Sequence, residues 1–522
     1  MAIPPGSLET AGGPRRELIT SRSGRLLPIV LLFTLALALR LFMLGSPSIW
    51  LDEGYAIDLA SGGVGAILKN TGDFHPPLYY VFLHFWLALG RSEFMVRLPS
   101  ALLGALSVPM AFVLARAWLT RKTAFLSALL LAVSPLSVWY SQEARMYSQL
   151  AFLGLISVLA LSRLIQGGKP AWWLVYVLST AAGLYTHYDM AILLVLEDAL
   201  LIGWCVWLKK RPGWLLPLTL AQVASLILFL PWLPVLIANL RNLGSVHSIN
   251  RIEFLLDGGL GLPILGASLV ILVALVVAFG LWLRKASSFI VRIETLLALA
   301  VVVFFAALTV FSAVPLGTSL KRHAVVFLPY FLILTGIGAV RLAGPRRWLA
   351  VCLVLLSCLA LGVSYTQRER EDWRGAEALV ERESRPGDVI LFHASYVRSP
   401  FNYYYHGVLP QIEVAPGSFE AQLAQVAGQY KRAWVVLSDE TYVDPELRLR
   451  AWIGREWKLI EKSEMAGITI GLYQVSPGPL LPFREKRAKE GTGETPVTPQ
   501  EGANPFLTTP LRSSVSQKRL VV

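Results

Sequence analysis

Eleven apolar runs of membrane-crossing length dominate this chain, at about 26–45, 96–118, 123–140, 144–165, 171–186, 188–208, 214–237, 259–283, 293–314, 323–341 and 347–366. A hydrocarbon core of roughly 30 Å takes about 20 residues of helix at 1.5 Å per residue. Backbone polar groups find no water there, so each run must satisfy its own hydrogen bonds as a helix. The class is a polytopic α-helical membrane protein. A composition of 55% hydrophobic and 16% charged residues over 522 positions agrees.

The formal net charge of +13 would suggest a nucleic-acid partner in a soluble protein. Here the Lys and Arg sit mainly in short loops between apolar runs, where they set orientation, and no nucleic-acid partner is expected. Residues 1–25 form a basic cytoplasmic N-terminus with Arg15, Arg16, Arg22 and Arg25, ahead of a retained signal-anchor helix. A shorter run at 76–90 opens with Pro76-Pro77 and is too short for a standard span. If it stays outside, the clusters Arg121-Lys122, Arg163 with Lys169, Lys209-Lys210-Arg211, Arg284-Lys285 with Arg292, and Arg341 with Arg346-Arg347 all face the cytoplasm. The segment 46–95 is then an external loop with interfacial or re-entrant helices, and the C-terminus is also outside. Cys205, Cys352 and Cys358 all lie in apolar runs and read as packing residues.

Past residue 366 the apolar runs shorten to strand length, as in Asp388-Val389-Ile390-Leu391-Phe392 and Ala433-Trp434-Val435-Val436-Leu437. Residues 367–476 read as a small extracytoplasmic α/β domain without a Gly-rich phosphate loop. Residues 477–522, rich in Pro, Thr, Gly, Lys and Glu, read as a disordered tail.

The external side collects polar residues. The first loop supplies Asp52, Glu53, Tyr55 and His75, with Arg97 at the mouth of the second span; later turns supply Glu143, Arg145 and Tyr147, then His187, then Lys321 and Arg322. Ionisable groups close to hydrocarbon are costly, so they pair or do chemistry. Carboxylates can deprotonate a nucleophile, while Arg and Lys stabilise a phosphate. A donor with a lipid tail can present its phosphate at these helix ends. Each group also has a plain reading: Trp50 and Tyr55 as interfacial anchors, Asp52 and Glu53 as acids favoured at a helix N-terminus, Arg145 and Arg40 snorkelling to headgroups, His187 as structural. Glu197 and Asp198, near the middle of the sixth run, should face a polar interior or be protonated; in a transferase they would bind a neighbouring helix.

Trp50-Leu51-Asp52-Glu53-Gly54-Tyr55, His75-Pro76-Pro77-Leu78-Tyr79-Tyr80, Arg97-Leu98-Pro99-Ser100-Ala101-Leu102-Leu103-Gly104, Tyr140-Ser141-Gln142-Glu143-Ala144-Arg145-Met146-Tyr147, and Arg322-His323 with Pro329 together resemble the bacterial branch of the protein mannosyltransferase and aminoarabinose transferase superfamily. The resemblance covers about residues 26–366 and departs from the family at His323, where an aromatic residue is frequent. It implies the GT-C fold in residues 26–366. It also implies an inverting glycosyltransferase that moves a sugar from a polyprenyl-phosphate donor to an acceptor hydroxyl on a protein, membrane lipid or cell-envelope glycan. The reaction would lie at the outer face of the bacterial cytoplasmic membrane. By the same resemblance Asp52 is the catalytic base and Glu53 assists or orients it. Arg145, Arg322, Lys321 and His75 bind the donor phosphate, and Tyr55, Arg97, Glu143, Tyr147 and His187 are candidate substrate contacts. A lipid-linked-sugar flippase and a surface-polysaccharide polymerase or ligase are the alternatives. No cofactor is expected: a divalent metal could be held by adjacent carboxylates and a His, but two sequence neighbours rarely supply a full shell, so no metal is expected to be required.

Overall fold

The computed structural model describes residues 22–69, 75–208, 213–243, 319–342, 348–366, 370–414, 419–438, 440, 444, 446–475 and 484–485. The expected spans 259–283 and 293–314, the side chain of Lys321 and, apart from Arg484–Glu485, the expected tail 477–522 lie outside the described residues. Arg484–Glu485 corrects the expectation of a tail disordered throughout, because its backbone pairs with the strand Lys458–Met465.

Among the described residues, three helices are long and apolar enough to cross a membrane, Glu93–Arg116, Tyr147–Ile165 and Leu215–Asn239, or four if a bent pair counts as one span. That pair covers the expected span 123–140 and is bent: Arg121–Ala132 and Pro135–Ser141 meet at 55°. The break follows from Ser134-Pro135. Proline has no N–H to continue the ladder, and the Ser134 hydroxyl accepts from Ser137 N at 3.4 Å to start the second helix. Shorter apolar helices include Leu26–Leu41, Ala171–Leu184, Arg322–Ile337 and Ala350–Thr366. Leu174, Leu178, Leu355 and Leu359 on these helices, and Leu216 and Leu220 on Leu215–Asn239, are largely exposed, as side chains facing lipid would be.

The run 76–90 folds as the apolar helix Leu78–Leu89, about 18 Å long at 1.5 Å per residue and so short of the hydrocarbon core. Leu78 N donates to Tyr185 O at 2.9 Å, which fixes its start against the bundle.

The C-terminal segment forms a six-stranded mixed sheet in the order β2-β1-β3-β5-β4-β6, from β1 (Asp388–Phe392), β2 (Gln411–Glu413), β3 (Arg432–Ser438), β4 (Lys458–Met465), β5 (Ile468–Gln474) and β6 (Arg484–Glu485). The pairs β1–β2 and β1–β3 are parallel, β3–β5 antiparallel. Alternation sends Ile390, Phe392, Trp434 and Val436 to one apolar cluster and Val389, Leu391, Ala433 and Val435 to another. Both faces are covered, which is why these strands read as continuous apolar runs.

This domain is clamped to the helix Leu51–Ser61. Tyr404 Oη accepts from Ile49 N at 2.8 Å and donates to Glu93 Oε1 at 3.1 Å, Glu371 Oε2 accepts from Leu51 N at 3.3 Å, and Ser399 Oγ donates to Asp58 Oδ2 at 3.1 Å. Loop and domain therefore pack directly against one another through these contacts.

Gly54 is where the clamp is tightest. A Cβ there would lie 2.6 Å from Pro400 N and 2.7 Å from its Cα. In an open helix Gly→Ala gains about 1 kcal/mol; against this backbone the clash wins, at about 1–3 kcal/mol. Gly54→Ala is expected to loosen the domain, seen as faster proteolysis between residues 366 and 400 in the folded protein. Unchanged proteolysis would mean that Pro400 yields at no cost.

Candidate functional site

The motif strings quoted above interlock at one end of the helical bundle. Glu53, in the first turn of the helix Leu51–Ser61, is fully buried. Its Oε1 accepts from Arg97 Nε at 2.8 Å and Ala144 N at 2.9 Å; its Oε2 accepts from Arg97 Nη2 at 2.6 Å and Arg370 Nη1 at 2.8 Å. Burial opposes ionisation of Glu53, but the Arg97 and Arg370 charges, the Arg97 hydrogen bonds and the Ala144 N–H outweigh it and hold the carboxyl down at about 2.

Arg97 is used up by the same arrangement. Beyond Glu53, its Nη1 donates to Leu44 O at 3.0 Å and Pro47 O at 2.8 Å, and its Nη2 to Ser48 O at 2.9 Å. A guanidinium has five N–H donors, and each has an acceptor here. The expectation that Arg97 touches substrate is therefore corrected: it ties the loop 44–48 and Glu53 to the helix Glu93–Arg116. Arg40 is likewise corrected, since it neither snorkels nor reaches the site. It is fully buried and donates to Ser141 Oγ at 3.1 Å, Ala36 O at 3.1 Å, Ala132 O at 3.3 Å and Ser137 Oγ at 2.7 Å. Gly104 makes room for this, because a Cβ there would lie 2.0 Å from Ser141 Oγ and 3.0 Å from Arg40 Nε.

Asp52 is held differently. It is 5% exposed, and its Oδ2 lies 3.5 Å from Arg322 Nη1 and 4.0 Å from Arg145 Nε. That oxygen has no hydrogen-bond partner among the described residues. Two cations thus face one carboxylate at distances longer than good hydrogen bonds. Arg145 is positioned by its neighbours: its Nη1 donates to Asp52 O and Tyr80 Oη, both at 3.4 Å, and its carbonyl accepts from Ser100 Oγ at 3.0 Å. Ser100 in turn lies 3.3 Å from Tyr79 Oη. Arg322 comes from the first turn of the helix Ser319–Leu342.

The other expected contacts divide. The Tyr147 hydroxyl is buried without a hydrogen-bond partner among the described residues, its ring edge-on to Tyr140 at 5.1 Å. Tyr55 and His75 are half-buried, and the His75 ring lies 5.3 Å from that of His187. Glu143 is paired with Arg370 at 3.3 Å, and His187 lies against Asp189. Sequence reasoning missed Arg370, which bridges Glu53 and Glu143 and also lies over the rings of Trp50 at 5.7 Å and Trp139 at 5.8 Å. Nothing marks it in the charged run Arg368-Glu369-Arg370-Glu371. Glu197 and Asp198 find neighbouring helices: Tyr176 Oη donates to Glu197 Oε2 at 3.1 Å and Gln222 Nε2 to Asp198 Oδ1 at 2.7 Å.

Chemically, the site offers one carboxylate with two cations beside it, set at the ends of bundle helices. Residues 74–236 match the family model described as dolichyl-phosphate-mannose-protein mannosyltransferase. No curated protein matches the chain. The crystal structure of ArnT from Cupriavidus metallidurans in the apo state is similar, with a TM-score of 0.54 at 16% identity, over 85% of this chain and 97% of that one. The archaeal oligosaccharyltransferase AglB from Archaeoglobus fulgidus, in complex with an inhibitory peptide and a dolichol-phosphate, gives a TM-score of 0.51 at 12% identity, over 88% and 75%. At these identities the likeness is one of fold.

Proposed function

From a chain that has the GT-C membrane glycosyltransferase fold and carries a mannosyltransferase-family segment at residues 74–236, we propose an inverting transfer of a sugar from a polyprenyl-phosphate donor to an acceptor hydroxyl. The observation that carries it is the Asp52 carboxylate faced by Arg145 and Arg322. The family match begins beyond Asp52 and Glu53, so their roles rest on the geometry.

Asp52 takes the proton from the acceptor hydroxyl as that oxygen forms its bond to the anomeric carbon. The bond from that carbon to the donor's phosphate oxygen breaks, and the polyprenyl phosphate leaves with the electron pair. Arg145 and Arg322 receive the growing charge, and Lys321 and His75 are assigned with them to the donor phosphate. Glu53 is a positioning residue: it fixes the first turn that carries Asp52 and, through Ala144 N, the turn that carries Arg145. The lipid tail of the donor stays in the hydrocarbon. On this reading the reaction takes place at a bacterial cytoplasmic membrane, with the loop 46–95 and the domain 367–476 both assigned to its outer face.

The test is full-length protein in liposomes with radiolabelled polyprenyl-phosphate sugars and a cell-envelope extract as acceptor. Label appearing on an acceptor supports the reading; transbilayer movement of the donor without transfer would overturn it in favour of a flippase. Arg322→Ala is expected to lower kcat by about 10²–10³-fold, as removal of one oxyanion donor does. A change in KM alone would place Arg322 in ground-state binding only.

A further inference from the structure

Beside the acid–arginine site lies a second cluster of different composition. His187 and Asp189 stand at the start of the helix Asp189–Leu208, and His323 follows Arg322 on the helix Ser319–Leu342. All three side chains are buried, and one ligand atom from each lies within 4.8 Å of the others. Asp189 Oδ2 is 2.8 Å from His323 Nδ1 and 3.4 Å from His187 Nδ1.

Two ligands each about 2.0–2.1 Å from a tetrahedral ion lie about 3.3 Å apart, so these spacings bracket the value a shared cation imposes. His187 Nδ1 also accepts from Asp189 N at 3.1 Å. That hydrogen bond turns the Nδ1 lone pair of His187 toward the Asp189 segment, where a cation would take the place of the backbone N–H as its partner. Sequence separation argues in the same direction: residues 187 and 323 are brought together from two helices, and the Asp189–His323 contact joins those helices. Asp52 and Glu53 are a poor place for an ion by comparison, because Arg97, Arg145, Arg322 and Arg370 already surround them.

We propose that His187, Asp189 and His323 bind one divalent transition-metal cation. Two imidazoles and one carboxylate suit Zn²⁺ and its neighbours in the first row rather than Mg²⁺ or Ca²⁺, which take oxygen shells. Three protein ligands leave one position of a tetrahedral ion open to water or an anionic oxygen. The ion binding stands independently of the transfer chemistry.

The experiment uses tag-free full-length protein in detergent, stripped with a chelator and titrated with Co²⁺. The expected result is a visible d–d absorption band of tetrahedral Co²⁺ that saturates at one equivalent, is displaced by Zn²⁺, is lost in His323→Gln and Asp189→Asn, and persists in His406→Gln on the exposed surface. Wild-type protein with no saturable band would overturn the proposal whether or not the variants fold. A band that survives in both site variants would also overturn it. In that case the cluster is a proton-shared His–Asp–His network.

Discussion

Asp52→Asn is expected to lower the rate of sugar transfer by about 10²–10⁴-fold, the usual range for losing a general base, while donor affinity holds or rises. The split follows from charge. In the native site Arg145 and Arg322 face the Asp52 carboxylate at 4.0 and 3.5 Å, so that carboxylate competes with an incoming phosphate for the two guanidiniums. Asparagine keeps the shape, removes the competing charge and cannot take the acceptor proton. Turnover and binding of polyprenyl phosphate should therefore move in opposite directions, or turnover alone should fall. Joint loss of donor binding and turnover, with the fold intact, would show that Asp52 organises the arginines rather than acting as the base.

Glu53→Gln is expected to behave quite differently, as an unfolding mutation first and an inactivating one in consequence. Arg97 and Arg370 both end on Glu53, whose side chain is completely buried. Breaking a buried ion pair by neutralising one partner costs about 3–5 kcal/mol, because the remaining charges stay desolvated. The wild-type protein gives the matching pH signature. With a folded-state value of about 2 against an ordinary 4.5, the Glu53 contribution is complete above the ordinary carboxylate value. It is lost as pH falls through that range toward the folded value. The difference in unfolding temperature between wild type and Glu53→Gln should thus be constant near neutrality and shrink below about pH 4.5. A variant that melts with the wild type yet transfers no sugar would make Glu53 a chemical group.

The two adjacent acids show how far a linear reading reaches. Their company of arginines and the membrane class were legible, because apolar run length and the charges between apolar runs are local properties that a bilayer enforces directly. Their division of labour was not. Asp52 and Glu53 are one residue apart, so the helix turn sends them to different surroundings, one to Arg145 and Arg322 and the other to Arg97 and Arg370. Arg97 read as a substrate contact for the same reason: an arginine at the mouth of a span looks alike whether its five donors face a ligand or three carbonyls and a carboxylate. The break at Ser134-Pro135 was visible as a proline, but nothing in a run of apolar residues says that the second piece turns by 55°.

By itself the sequence determined the membrane class, the short apolar run at 76–90, a strand-bearing segment after residue 366, and the set of polar residues between the apolar runs. These follow from free energies of transfer that each segment feels on its own. Only the tertiary structure decided that Arg370, just past the helix Trp348–Thr366, would lock Glu53. The same holds for Gly54, kept bare for Pro400, and for His187, Asp189 and His323 meeting across two helices. Those contacts join residues more than a hundred positions apart, and a buried charge or a shared ligand gains its value only when packing has excluded water and brought its partner within about 3 Å.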